Sequence, residues 1–186
     1  MKKIYYYLIG IIALMISLIF DKQISIFFTS YRIEFFNTIA IFINYVEWYM
    51  LFALVLTILL IKKDYKKIFP LILALILYLG LTNLIKIIVA RPRPYVELNN
   101  ALITDNNPKK SFPSGHATIM FTLLPFLNFK IFKEIWIVLS IIVMLSRVYL
   151  GVHYLSDVIA GMLLGYLIND LINYFKKKKL INTISF

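Results

Sequence analysis

Only two histidines occur in the chain, and each sits in a short polar island: Pro113-Ser114-Gly115-His116, and Ser146-Arg147 followed by His153 and Asp157. Two titratable imidazoles beside fixed cations have the makings of nucleophile and acid–base chemistry on a phosphate. His153 and Asp157 are four residues apart, so at the start of a helix they face each other across one turn. A carboxylate on one ring nitrogen fixes the tautomer and turns the other nitrogen outward, which prepares a nucleophile. The plainer alternative is that Asp157 is a first-turn acidic cap and His153 a histidine at headgroup level. Arg147 adds a planar five-donor fork suited to phosphate oxygens. Ser114 and Gly115 open a helix whose unpaired N–H groups and dipole would suit an anion, although Ser114 could equally be a simple N-cap after a proline-ended loop. His116 falls in the first turn of that helix, close to any anion held there and placed to donate a proton.

Further cations stand nearby in sequence. Lys86 lies within the apolar run 84–90, where an unpaired cation costs about 2.5–3.5 kcal/mol on insertion scales and marks a functional position by default. Snorkelling to the headgroups is its other explanation. Arg93 follows seven residues later, and Pro92 and Pro94 place it at the start of a loop held over the same point. In the polar stretch 91–112, Arg91, Tyr95, Lys109 and Lys110 are candidates for a second phosphate.

The elements that must position these groups are membrane helices. The 186 residues are 61% hydrophobic, with long runs free of charge, which excludes a water-soluble domain with an ordinary polar surface. A hydrocarbon core about 30 Å thick needs roughly 20 apolar residues per helix, with about 17 as the lower limit. The runs predict six spans, near 4–20, 47–61, 68–90, 114–129, 134–150 and 154–175. Residues 4–20 exceed a signal-peptide core and lead into Asp21 and Lys22 without a small-residue cleavage site, so the first span is expected to be retained. Residues 23–46 are apolar but interrupted by Arg32, Glu34 and Asn37, with Phe36, Ile39, Ala40 and Ile43 in a helical stripe. They predict a short helix lying at the interface. The fold expected is all-α, a six-transmembrane-helix bundle forming a single domain over 1–186.

Cation placement sets the orientation. With the N-terminus inside, Lys2, Lys3, Lys62, Lys63, Lys66, Lys67, Lys130, Lys133 and Lys176 to Lys179 gather on the cytoplasmic face. Lys86, Arg91, Arg93, Lys109, Lys110 and Arg147 fall instead at the outer helix ends, with both histidines. The net charge of +11 is thus topology signalling and attraction to anionic headgroups, and nucleic acid is not an expected partner.

Lys86 with six residues to Arg93-Pro94, then Pro113-Ser114-Gly115-His116, then Ser146-Arg147 with five residues to His153 and three more to Asp157, reproduce a three-part signature. On these residues the chain resembles the PAP2 family, the type 2 phosphatidic acid phosphatases. Soluble haloperoxidases and secreted acid phosphatases share the signature, but the hydropathy here excludes both. The resemblance implies that His153 attacks phosphorus, Asp157 orients it, and His116 protonates the leaving oxygen and later activates water. It further implies that Lys86, Arg93, Ser114, Gly115 and Arg147 hold the phosphoryl oxygens. No metal or cofactor is expected, because near the motifs the only carboxylates are Asp157, Glu97 and Asp105, too few for a dinuclear centre.

The expected partners are membrane lipids and a lipid phosphate or diphosphate substrate, and the resemblance implies undecaprenyl-type prenyl diphosphates first. Phosphatidylglycerophosphate, phosphatidate and lipid A are the near alternatives. A non-catalytic lipid-binding or anion-transport protein is the reading of another class, and a transporter has no use for an oriented nucleophile.

Overall fold

The computed structural model describes residues 2–46, 68–99, 102–104, 107–127 and 129–177. The expected second span, 47–61, lies outside the described residues. Helices account for all the regular structure among those described: α1 (Lys2–Ser30), α2 (helical residues 34–46), α3 (Ile68–Val89), α4 (Pro94–Leu98), α5 (Gly115–Leu123), α6 (Lys130–Tyr149) and α7 (Leu155–Lys177). One 3-10 turn, Leu124–Phe126, extends α5. The all-α expectation holds for these residues.

The bundle is organised around α5 and α7. Ala117 to Leu123 are all buried, and α5 packs on α3, α6 and α7 while α7 also touches α1. Two glycines let the central pair approach. A methyl at Gly161 would stand 2.5 Å from Ser114 O, and one at Gly165 would stand 2.7 Å from Thr118 O and 2.8 Å from Phe121 Cβ. Small residues four apart on an apolar helix permit this contact, in which dispersion and close fit replace the hydrophobic effect. Asn169 Nδ2 donates to Phe121 O at 2.8 Å and Trp136 Nε1 to Met120 O at 2.7 Å, fastening α7 and α6 to the backbone of α5. Outward, α1 exposes Ile9, Ile12, Ile16 and Ile19, α3 exposes Ile72, Ile76 and Leu79, and α6 exposes Ile135, Val138, Ile142 and Leu145. These faces recur at helical spacing and suit hydrocarbon as solvent.

The helices α1, α3 and α7 are each long and apolar enough to cross a membrane, and the protein is an integral membrane protein. The expected span 114–129 is shorter than foreseen. With its 3-10 turn α5 reaches Phe126, roughly 18 Å at 1.5 Å per residue, because Pro113 precedes it and Pro125 cannot donate to a continuing helix. The other ranges, 68–90, 134–150 and 154–175, coincide with α3, α6 and α7 to within a few residues.

Two boundaries need correction. The first helix does not stop before Asp21 and Lys22 but runs on to Ser30, since Asp21 is buried against partners from other elements and imposes no end. Residues 23–30 therefore belong to α1, and only 34–46 form the separate helix. Phe36 and Ile39 are exposed while Ala40 is buried, and Asn37 and Asn44 bond to Tyr149 and Arg147. This helix packs on the polar ends of α6 and its loops, so amides as well as methyl groups line its packed side. Between α1 and α2, Arg32 Nη2 donates to Tyr149 O at 2.9 Å and Ile33 N to Tyr149 Oη at 3.0 Å.

Candidate active site

The end of α3, the start of α5, the end of α6 and the start of α7 meet on one side of the bundle, joined by the segments 90–114 and 150–154. Local rules explain each turn. Arg147 lies in the last turn of α6, and Gly151 with φ 77° turns the chain away from the helix, the left-handed exit that glycine accepts most readily. The N–H groups of Val152 and His153 then return to Arg147 O, each at 3.3 Å. Ser114 N donates to Asp157 O at 2.9 Å, which ties the start of α5 to that of α7. Ser114 Oγ accepts from Ala117 N at 3.5 Å, so its hydroxyl acts as the N-cap of α5.

His153 is 2% exposed. Its Nε2 lies 3.3 Å from Arg93 Nη1, and its Nδ1 lies 3.5 Å from Asp157 Oδ2. Arg93 can only donate, so Nε2 presents a lone pair and the ring proton resides on Nδ1. Burial first, then the charges of Arg93, Lys86 and Arg147, push the His153 imidazole well below its ordinary pKa, against an opposing interaction with the Ser111 backbone, whose carbonyl accepts from the ring. Burial and these charges both favour the neutral ring, the form a nucleophile needs. Asp157 faces it at ion-pair rather than hydrogen-bond distance, because both carboxylate oxygens are already engaged. Oδ1 accepts from Arg91 Nη1 at 2.8 Å, and Oδ2 accepts from Tyr154 N at 2.8 Å and from the Ser111 hydroxyl.

The cations are held by backbone and amide oxygens. Arg93 donates through Nε to Asn107 O at 3.0 Å and through Nη1 to Val152 O at 2.8 Å. Lys86 Nζ donates to Lys110 O at 2.7 Å, and Arg147 Nη1 to Asn44 Oδ1. His116, in the first turn of α5, lies within the electrostatic field of Arg147, His153, Lys86 and Arg93. Gly115 faces Tyr78 Oη and Thr82 Cγ2 at ordinary contact distance. Every residue singled out in the three motifs is thus brought to this one end.

Arg91 sits differently from its expected place at a second phosphate. Its guanidinium bridges Asp157 and Asp21, and although burial opposes its charge, the two carboxylates outweigh that and raise its pKa. Tyr95 packs with Leu150 and Val152, and Lys109 is exposed. Sequence reading passed over Asp21, Ser111, Asn44 and the pair Gly161 and Gly165. Two signals were there to find: a carboxylate inside an apolar run, and glycines at i and i+4 in a spanning helix. Among the described residues no three His, Cys, Asp or Glu side chains converge as a metal site would require.

The family model described as the PAP2 superfamily matches residues 67–180, which takes in both histidines, all the motif cations and Asp157. The chain belongs to the PAP2 superfamily. As a PAP2 protein it is a membrane phosphatase. It is similar to the undecaprenyl-diphosphatase of Sulfolobus acidocaldarius, at 28% identity over 181 residues, covering 89% of this chain and 88% of that one. Its fold superimposes on the crystal structure of Aquifex aeolicus LpxE with a TM-score of 0.72 and 25% identity, covering 83% of this chain and 94% of that one. The PAP2 type phosphatidylglycerolphosphate phosphatase of Bacillus subtilis shares the fold as well, with a TM-score of 0.65 and 23% identity over 94% of this chain and 96% of that one.

Proposed function

We propose that this PAP2 protein hydrolyses a polyprenyl diphosphate of the undecaprenyl type through a phosphohistidine, without a metal or cofactor. The observation that carries the chemistry is the setting of His153, a buried ring with its Nε2 beside Arg93 and its Nδ1 toward Asp157. Nε2 attacks the terminal phosphorus, the bond to the bridging oxygen breaks, and His116 gives its proton to the departing prenyl phosphate. His116 then takes a proton from water, which attacks the phosphohistidine and releases inorganic phosphate. The anionic substrate supplies the negative charge that lets His116 hold its proton beside three cations. Lys86, Arg93 and Arg147, with Ser114 and the Gly115 N–H, neutralise the phosphoryl oxygens, each cation contributing about 4 kcal/mol at 4 Å and an effective dielectric of 20.

The substrate class rests on the near full-length similarity to the Sulfolobus enzyme and on a site at the ends of helices whose outer faces are apolar, where a headgroup can enter while its tail stays in the bilayer. The decisive experiment is phosphate release by the purified protein in detergent with EDTA. Prenyl diphosphate, phosphatidylglycerophosphate, phosphatidate and lipid A are compared side by side. Fastest turnover of the prenyl diphosphate is expected. Release from none of them overturns the enzymatic reading, and preference for another lipid overturns the substrate.

The same proposal takes the chain as one unit with six spans, both termini cytoplasmic and the site on the outer face of the plasma membrane. The placement of Lys130 and Lys133 at the start of α6 and Lys176 and Lys177 at the end of α7, both away from His153, supports that orientation. Because the chain has no cysteine, a single Cys at Lys109 should react with an impermeant thiol reagent on intact cells and one at Lys177 should not. The reverse pattern would invert the topology.

A further inference from the structure

Asp21 is a buried carboxylate to which the proposed chemistry gives no part. It lies within the apolar helix Ile4–Ser30 and is 2% exposed, a placement that is costly for an ionised group without fixed partners. Its partners all belong to the site. Asp21 Oδ1 accepts from Ser156 N at 2.9 Å, and Oδ2 accepts from the Ser156 hydroxyl and from Arg91 Nη2 at 2.8 Å. The other terminal nitrogen of Arg91 donates to Ser156 Oγ at 2.7 Å and Asp157 Oδ1 at 2.8 Å. The guanidinium carbon stands 4.1 Å from the centre of the Tyr154 ring, whose hydroxyl donates to Glu97 at 2.9 Å. Lys22, next to Asp21, is 3.3 Å from Glu97.

One guanidinium is therefore divided between two carboxylates, and one of these faces His153. While Asp21 holds half of the Arg91 fork, Asp157 keeps negative charge in hand for the positive charge that develops on the imidazole as Nε2 bonds to phosphorus. Without Asp21, the whole of Arg91 would fall on Asp157, and Ser156 at the start of α7 would lose its anchor. We propose that Asp21 is a positioning residue for the nucleophile: through Arg91 and Ser156 it seats Asp157 and keeps its charge available to His153. Because Asp21 lies outside the matched region 67–180, the first helix becomes a working part of the site as well as a span.

This inference rests on the phosphohistidine reading. The groups facing His153 are Asp157 from α7, Arg93 from the segment before α4, Lys86 from α3, Arg147 from α6 and His116 from α5, with Arg91 acting through Asp157. Removing one negative charge from this surrounding favours the neutral ring, so the acid limb of kcat/KM moves to lower pH.

The test uses the full chain in detergent with prenyl diphosphate as probe. For Asp21→Asn, kcat should fall by about tenfold, the low end of what losing an orienting partner costs, with KM within about twofold because no phosphate ligand changes. The acid limb should move down. Asp21→Glu, which keeps the charge, should leave that limb at its wild-type pH. An Asp21→Asn protein with wild-type kcat and pH profile overturns the proposal. If that variant does not fold, Ser156→Ala decides: it removes the hydroxyl between Asp21 and Arg91, and wild-type kcat in it overturns the proposal equally. Inactive wild-type protein overturns the phosphatase reading and this one with it, whereas active wild type matched by the variants overturns only the role of Asp21.

Discussion

The same two helices, α5 and α7, meet by opposite means along their length. At Gly161 and Gly165, α7 comes down on the backbone of α5, with the Cβ atoms of Ala117 and Phe121 beside it, and no charge takes part. At their starts, Ser114, His116, His153 and Asp157 stand among arginines, and the Asp157 carboxylate accepts from Arg91, Tyr154 N and the Ser111 hydroxyl. The seam tolerates no added atom and supplies no chemistry. The cluster holds the groups that can react. Fold and rate should therefore separate on substitution.

The largest expected effect is on rate. His153→Ala should lower phosphate release by about 10⁴-fold or more while thermal unfolding stays near wild type. Activity within tenfold of wild type would remove His153 as nucleophile. Gly165→Val should do the reverse, costing upwards of about 3 kcal/mol because Thr118 O and Thr122 N are backbone and cannot step aside. Thermal unfolding in detergent reads this, and an unchanged midpoint would show that the seam is looser than described.

Arg93→Gln should cut kcat/KM by about 10²-fold, as loss of a donor to the transition-state oxygens does. It should also shift the pH profile. Arg93 is among the charges that hold the His153 pKa down, so its removal raises that pKa and moves the acid limb up toward the ordinary imidazole value of about 6.5. A limb that stays in place or moves down would contradict the contact with Nε2. The smallest effect is expected at Gly80, where an added methyl meets nothing within 4 Å among the described residues. Gly80→Ala should stabilise α3 by up to about 1 kcal/mol, and a fall in the unfolding midpoint would show that this glycine, like Gly165, faces a close neighbour.

The helices α3, α6 and α7 were legible because a long apolar run in a chain of this hydropathy has few alternatives, and the motif residues because their spacing is fixed within short segments. Gly161 and Gly165 were equally visible as a spacing, yet nothing in one strand of sequence says which helix approaches them. The end of α1 was misread for a related reason. Asp21 and Lys22 look like a polar boundary until Arg91, seventy residues away, is known to neutralise the aspartate inside the bundle. In α2 the apolar stripe marked a helix but not the surface it would cover, which is made of Tyr149, Arg147, Leu150 and Val152, so Asn37 and Asn44 as well as Ala40 face it.

By itself the sequence determined the class of molecule and the set of reacting groups: apolar runs require a bilayer, and the spacing of Lys86, Arg93, His116, Arg147, His153 and Asp157 is carried within local segments. Only the tertiary structure decided who partners whom. A carboxylate accepts from whichever donors surround it, and those donors come from distant parts of the chain. Hence Asp157 bonds to Ser111, Tyr154 and Arg91 while facing His153, and a residue of the first helix holds the other half of the Arg91 fork.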